Sequence, residues 1–194
     1  MTNRQRRNRP HRSRRARSPW PWLGIIVPIA IVAALATFGS GDDSTTVVSP
    51  DTAATMFELP TSTGTTFALQ DALSDSDVLL YFSMGVGCDG CFAQIPEVDQ
   101  ALTDRQITLM PVMVQDTDLV NATAQAWGID EPILIDADGS VSEAYDMLGI
   151  NGHSDRPFHS IALVDQDGTL AFVKHYDTMF VAVDEMIADL ASVG

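Results

Sequence analysis

The chain's only two cysteines stand three positions apart, as Cys88 and Cys91 in GVGCDGCF, and their flanks constrain the fold more than any other feature of the sequence. Immediately before them, residues 78–82 (VLLYF) form a continuous apolar run of strand-forming residues, bounded by DSD and by glycines. Such a run, without polar alternation, reads as a strand buried on both faces. Immediately after them, CFAQIPEVDQALTD places Phe92, Ile95, Val98 and Leu102 on one face at helical spacing. Pro96 either kinks that helix or falls in its first turn. The cysteines therefore occupy the junction between a central strand and the start of a helix.

The remaining periodicity extends this unit. Residues 65–69 read as a lead-in strand, followed by QDAL as a turn or brief helix. Residues 107–114 form a second apolar strand with Pro111 as a blemish, and 119–127 a helix closed by Gly128. Residues 133–135 are a short strand ending in Asp136, and 141–148 another helix. Strands at 160–164 and 169–175 flank a DQDG turn. A final amphipathic helix over 179–192 turns Met179, Val183, Met186, Ile187 and Leu190 inward. The order β-α-β-α-β-α-β-β-α predicts an α/β fold, with a central mixed sheet flanked by helices, parallel at first and closed by an antiparallel hairpin at one edge. It occupies residues 56–194, enough for one domain with a substantial core.

Charge is distributed very unevenly before that domain. Eight of the eleven Lys/Arg residues fall in the first seventeen positions: Arg4, Arg6, Arg7, Arg9, Arg12, Arg14, Arg15 and Arg17. Beyond them, three basic residues (Arg105, Arg156, Lys174) face all twenty-six acids. Residues 20–38 are then nineteen residues without a charge, opened by Trp20 and Trp22 and interrupted by Pro28. About 20 such residues span a bilayer. A basic flank stays in the cytoplasm, tryptophans suit the interface, and a proline is tolerated in a membrane helix. The expectation is a cytoplasmic tail (1–19), a single-pass transmembrane helix (20–38), a flexible linker (39–55) and an extracytoplasmic domain at the cell membrane. The alternative is a cleaved signal peptide, with 23–36 as its apolar region and Ala34-Leu35-Ala36 as the cleavage site. The length of the run favours the uncleaved anchor. The domain's acidity excludes nucleic acid as a partner class.

C-x-x-C opening a helix after a strand, inside a βαβ pattern, reads as a redox motif. The helix N-terminus stabilises a thiolate at Cys88, and Cys91 is spaced to resolve a mixed disulfide. No cofactor is required. Gly85, Gly87 and Gly90 would let a partner's backbone approach closely. Two other readings compete. A static disulfide closing so short a loop removes little chain entropy. A Cys₂His₂ zinc site or a copper site is open to Cys88 and Cys91 with His159, with His153 in the same loop, although a lone C-x-x-C supplies two of the four ligands that zinc wants.

The segments VLLYFSMGVGCDGCF, LIDADG and HSIALVDQDGTLAFVKHY resemble the thioredoxin-like redoxins. That group includes alkyl hydroperoxide reductase/thiol-specific antioxidant peroxiredoxins and membrane-anchored TlpA-type thiol-disulfide oxidoreductases. The narrower set GVGCDGC, GHSDRPFHSIALVDQDG and TMFVAVDEMIADL is similar to bacterial exported redoxins with one C-x-x-C. The resemblance implies a thioredoxin-like fold over 56–194, with exported protein thiols or disulfides as partners and a membrane electron donor for a reducing role.

Two departures qualify it. Peroxiredoxins carry Pro-x-x-x-Thr/Ser-x-x-Cys and an arginine that polarise the peroxide. Counting back from Cys88, those places hold Tyr81 and Gly85; counting back from Cys91, they hold Met84 and Cys88. Arg156 is the one candidate arginine, with an ion pair to a nearby acid as its plainer role. Peroxidase activity is therefore the runner-up to disulfide exchange. Thioredoxins also place a cis-proline before the last-but-one strand. Pro157 is the candidate, yet alignment on VDQDG puts that position at His159, so a bulge and a histidine in the proline's place both stay open. Between the cysteines, Asp89 disfavours the thiolate and makes the pair more reducing, or caps the helix, or does both.

Overall fold

The computed structural model describes residues 52–192. The expected tail and membrane helix, and most of the linker, lie outside the described residues. Among the described residues, no helix is long and apolar enough to cross a membrane.

A small antiparallel pair, β1 (Glu58–Pro60) and β2 (Thr66–Ala68), leads into the short helix α1 (Leu69–Ala72). Then come β3 (Asp77–Phe82), α2 (Asp89–Leu102), β4 (Ile107–Met113), α3 (Thr117–Trp127), β5 (Leu134–Ile135), α4 (Ser140–Ala144), β6 (Ser160–Val164), β7 (Leu170–His175) and α5 (Val183–Ala191). The five-stranded sheet runs β5-β4-β3-β6-β7. β3, β4 and β5 are parallel, while β6 and β7 are antiparallel additions. This is the expected mixed sheet, and β3 is its centre.

VLLYF is apolar throughout because both faces of β3 are covered. Leu79 and Tyr81 enter a core with Phe92, Ile95 and Val98 of α2 and Met186 and Leu190 of α5. Val78, Leu80 and Phe82 enter the opposite core with Leu69, Val141 and Tyr145. α2 thereby packs on the face of the sheet that β3 shares with β4, and the loop between β3 and α2 is held at one end of the sheet.

Pro111 is tolerated inside β4 for a topological reason. Val112 turns its carbonyl toward β3, where it accepts from the Ser83 N–H, so Pro111 turns its missing donor toward β5. β5 is too short to need it, since it pairs only with Val112 and Met113. Pro96 lies in the interior of α2, not its first turn.

Four expectations are corrected. β1 was not anticipated. α4 ends at Ala144, not 148, because Asp146 takes a left-handed conformation (φ 58°). The chain is already joined to the domain before residue 56: Ala53 bridges Thr169, and the Ala54 N–H donates to the Gly168 carbonyl (2.9 Å). The last helix starts at Val183, which leaves Met179 outside it and exposed rather than inward.

Candidate active site

Cys88 and Cys91 form a disulfide, with Cα atoms 5.3 Å apart. Cys88 is the N-cap of α2, and its sulfur accepts the Cys91 N–H (3.3 Å). Asp89 is therefore the first helical residue and not the cap. It is exposed, where its charge still complements the positive helix end. Both cysteines are nearly covered, Cys88 being 3% and Cys91 1% exposed.

The glycines serve the protein more than a partner. A side chain on Gly85 would run into Gln115, whose amide donates to the Met84 carbonyl (2.7 Å) and fixes the loop leaving β3. Gly90 lies under residues 179 and 180: a Cβ there would stand 3.3 Å from the Met179 carbonyl oxygen. Only Gly87 of the three is open, with nothing within 4 Å of such a Cβ.

Beneath the helix start, the Tyr81 hydroxyl donates to the Cys91 carbonyl (3.5 Å). Burial pushes the Tyr81 phenol well above its ordinary pKa. The His159 ring stands edge-on to Tyr81 (centroids 5.1 Å) and tilted against Tyr176 (5.3 Å). His159 is 1% exposed, and burial lowers its pKa to about 4. Its Nδ1 lies 3.2 Å from the Thr178 carbonyl, which can only accept, so Nδ1 carries the proton of a neutral ring. Three buried side-chain atoms among the described residues lack a partner: Ser83 Oγ, Gln115 Oε1 and His159 Nε2. Ser83 follows β3, Gln115 follows β4 and His159 precedes β6, so all three belong to the sheet end that carries the cysteine loop.

Arg156 donates to both carboxylate oxygens of Asp155 (3.4 and 3.1 Å), a pair that holds the Asp155 carboxyl below its usual range. Pro157 is buried, and no peptide among the described residues is cis, so it is not the cis-proline of a thioredoxin. His153 stacks on Phe158 (5.4 Å), and His175 bonds Ser160 Oγ (2.9 Å). Among the described residues, no group of three or more metal-ligating side chains is gathered.

Sequence reading missed Gln94. It lies within the apolar face of α2, between Cys91 and Val98, and is fully buried. A polar residue at a core-facing helical position was the available signal.

The match to the AhpC/TSA family covers residues 50–173. The chain belongs to this family. It is thus a thioredoxin-like redoxin, and solved structures agree on the fold. The peroxidoxin BcpB of Mycobacterium tuberculosis is 22% identical, with a TM-score of 0.63 over 74% of this chain and 96% of that one. A reduced 2-Cys peroxiredoxin of Plasmodium vivax is 20% identical, with a TM-score of 0.62 over 73% and 93%. A PrxQ mutant of Xylella fastidiosa is 15% identical, with a TM-score of 0.61 over 73% and 96%. No curated protein matches the chain. Within this redoxin frame, the chain has Gly85 and Tyr81 where the peroxide-polarising hydroxyl and proline were sought, and its candidate arginine is engaged by Asp155.

Proposed function

We propose that this redoxin exchanges disulfides with partner proteins through Cys88 and Cys91. The observation that carries the reading is the disulfide at the first turn of α2, directly after the central strand. In the reducing direction, the Cys88 thiolate attacks a partner disulfide. A mixed disulfide forms and one partner sulfur leaves as thiolate. Cys91 then gives up its proton and attacks the Cys88 sulfur. The internal disulfide forms, and the second partner sulfur departs with the electron pair. The reverse sequence oxidises a partner dithiol. The positive end of α2 favours the Cys88 thiolate, while exposed Asp89 opposes it and biases the pair toward the disulfide.

The same proposal places the domain outside the cytoplasm, tethered at the cell membrane by residues 20–38 and supplied by a membrane electron donor. The arginine block before an uncharged nineteen-residue run supports this placement.

A second reading is peroxide reduction, favoured by the peroxiredoxins among the structural neighbours. There the Cys88 thiolate would cleave the O–O bond, becoming a sulfenic acid and releasing water or an alcohol. Cys91 would then form the disulfide and release water.

Thiol trapping of the full chain across defined redox buffers tests both, combined with turnover of a protein disulfide and of hydrogen peroxide. A single reversible couple with protein-disulfide turnover supports exchange. Cys88-dependent peroxide consumption alone transfers the assignment to the second reading, and a pair that does not cycle overturns both.

A further inference from the structure

We propose that residues 178–181 are a docking strap for a cysteine-bearing, extended segment of a partner protein, one with an apolar side chain beside its cysteine and basic residues around it. The proposal rests on the exchange reading and names its substrate class.

After β7 the chain crosses to the first turn of α2. There the Met179 carbonyl and the Phe180 side chain lie against Gly90, between the two cysteines. The strap is held from inside by two buried polar side chains. Gln94 bonds both the N–H and the carbonyl of Val181, and His159 holds the Thr178 carbonyl. The Thr178 hydroxyl closes the turn by donating to the Phe180 carbonyl (2.7 Å). Burying an amide and an imidazole is costly unless their bonds are made. Here those bonds fix a backbone whose tip turns Met179 and Phe180 outward, 38% and 56% exposed.

These are two adjoining large apolar side chains at the wall of the reactive turn. Gly90 stands between the two cysteines, so the patch is continuous with the site of exchange. Asp89, Asp177, Asp184 and Glu185 are exposed on the same stretches of chain. Of the three basic side chains in the described residues, Arg156 and Lys174 are already paired with acids. Charge complementarity therefore selects a basic segment over an acidic one.

The test is the second-order rate at which the reduced full chain attacks three thionitrobenzoate disulfides: a lysine-flanked peptide with Phe next to its cysteine, the same peptide flanked by aspartate, and mercaptoethanol. The basic peptide is expected to react about tenfold faster than the acidic one, and Phe180→Ser to slow both peptides several-fold more than it slows mercaptoethanol. Leu119→Ser, an exposed apolar position on α3, should change neither rate. Equal peptide rates in wild type, Phe180→Ser and Met179→Ser overturn the strap while leaving exchange intact. A dimer that Phe180→Ser dissociates also overturns it, by assigning the patch to a second copy. No reaction with any probe overturns the exchange reading itself.

Discussion

Gln94 grips Val181 with both ends of its amide: the nitrogen donates to the Val181 carbonyl and the oxygen accepts the Val181 N–H. This joins the reactive helix to the segment that opens α5, across 87 positions of sequence. Replacing Gln94 with Leu leaves two buried backbone groups without partners. The expected loss is about 1–3 kcal/mol in urea unfolding. An unchanged midpoint would mean that the amide carries no net load.

Asp89 is expected to set the poise of the cysteine pair. Its carboxylate destabilises a neighbouring thiolate, so Asp89→Asn should favour the reduced form and raise the midpoint potential, on the order of 10–20 mV for about 0.5–1 kcal/mol. Thiol trapping in a graded redox series measures this directly. A fall in potential would show that the carboxylate acts in another way.

The two cysteines should behave asymmetrically. Cys88→Ser is expected to abolish exchange and give no mixed disulfide. Cys91→Ser should instead accumulate a covalent adduct through Cys88 that reductant releases, visible by non-reducing electrophoresis. Adducts through Cys91 in the Cys88→Ser protein would reverse the assigned roles.

His159 links stability to pH. Its folded pKa, about 4, lies below its ordinary value of 6.5. The unfolded chain therefore takes up a proton before the folded one does. Above pH 6.5 the ring is neutral in both states and its burial carries no protonation cost. As pH falls from 6.5 toward 4, stability is lost, by about 2 kcal/mol at pH 5. His175 is shifted the same way by burial and persists in a His159 variant. His159→Gln should therefore show a shallower decline between pH 6.5 and 5, and identical slopes would contradict the assignment.

Gly85 adopts φ 71° and faces the Gln115 side chain, so Gly85→Ala meets both a backbone and a steric obstacle. A loss of at least about 1–2 kcal/mol is expected in thermal or urea unfolding. A neutral substitution would mean that the loop relaxes without cost.

Much of the fold was legible locally. VLLYF could only be a strand covered on both faces, and CFAQIPEVDQAL carried its helical stripe in plain order. Gly128 closed α3 as read, with φ 67°. Boundaries failed where side chains replaced backbone partners. Met179 keeps helical spacing with Val183, yet Gln94 and Thr178 satisfy the backbone of 180 and 181 and hold it out of the helix. β1 escaped notice because three residues with one buried side chain carry no period.

The sequence by itself determined the mixed α/β order, the strand–cysteine–helix junction and the chemistry available to a C-x-x-C pair, because these follow from neighbours close along the chain. Only the tertiary structure decided which distant groups surround that junction. It placed His159 against Tyr81 and brought residues 178–181 over Gly90. Those contacts depend on sheet order and helix packing, which bring together residues tens of positions apart, and no local pattern encodes that proximity.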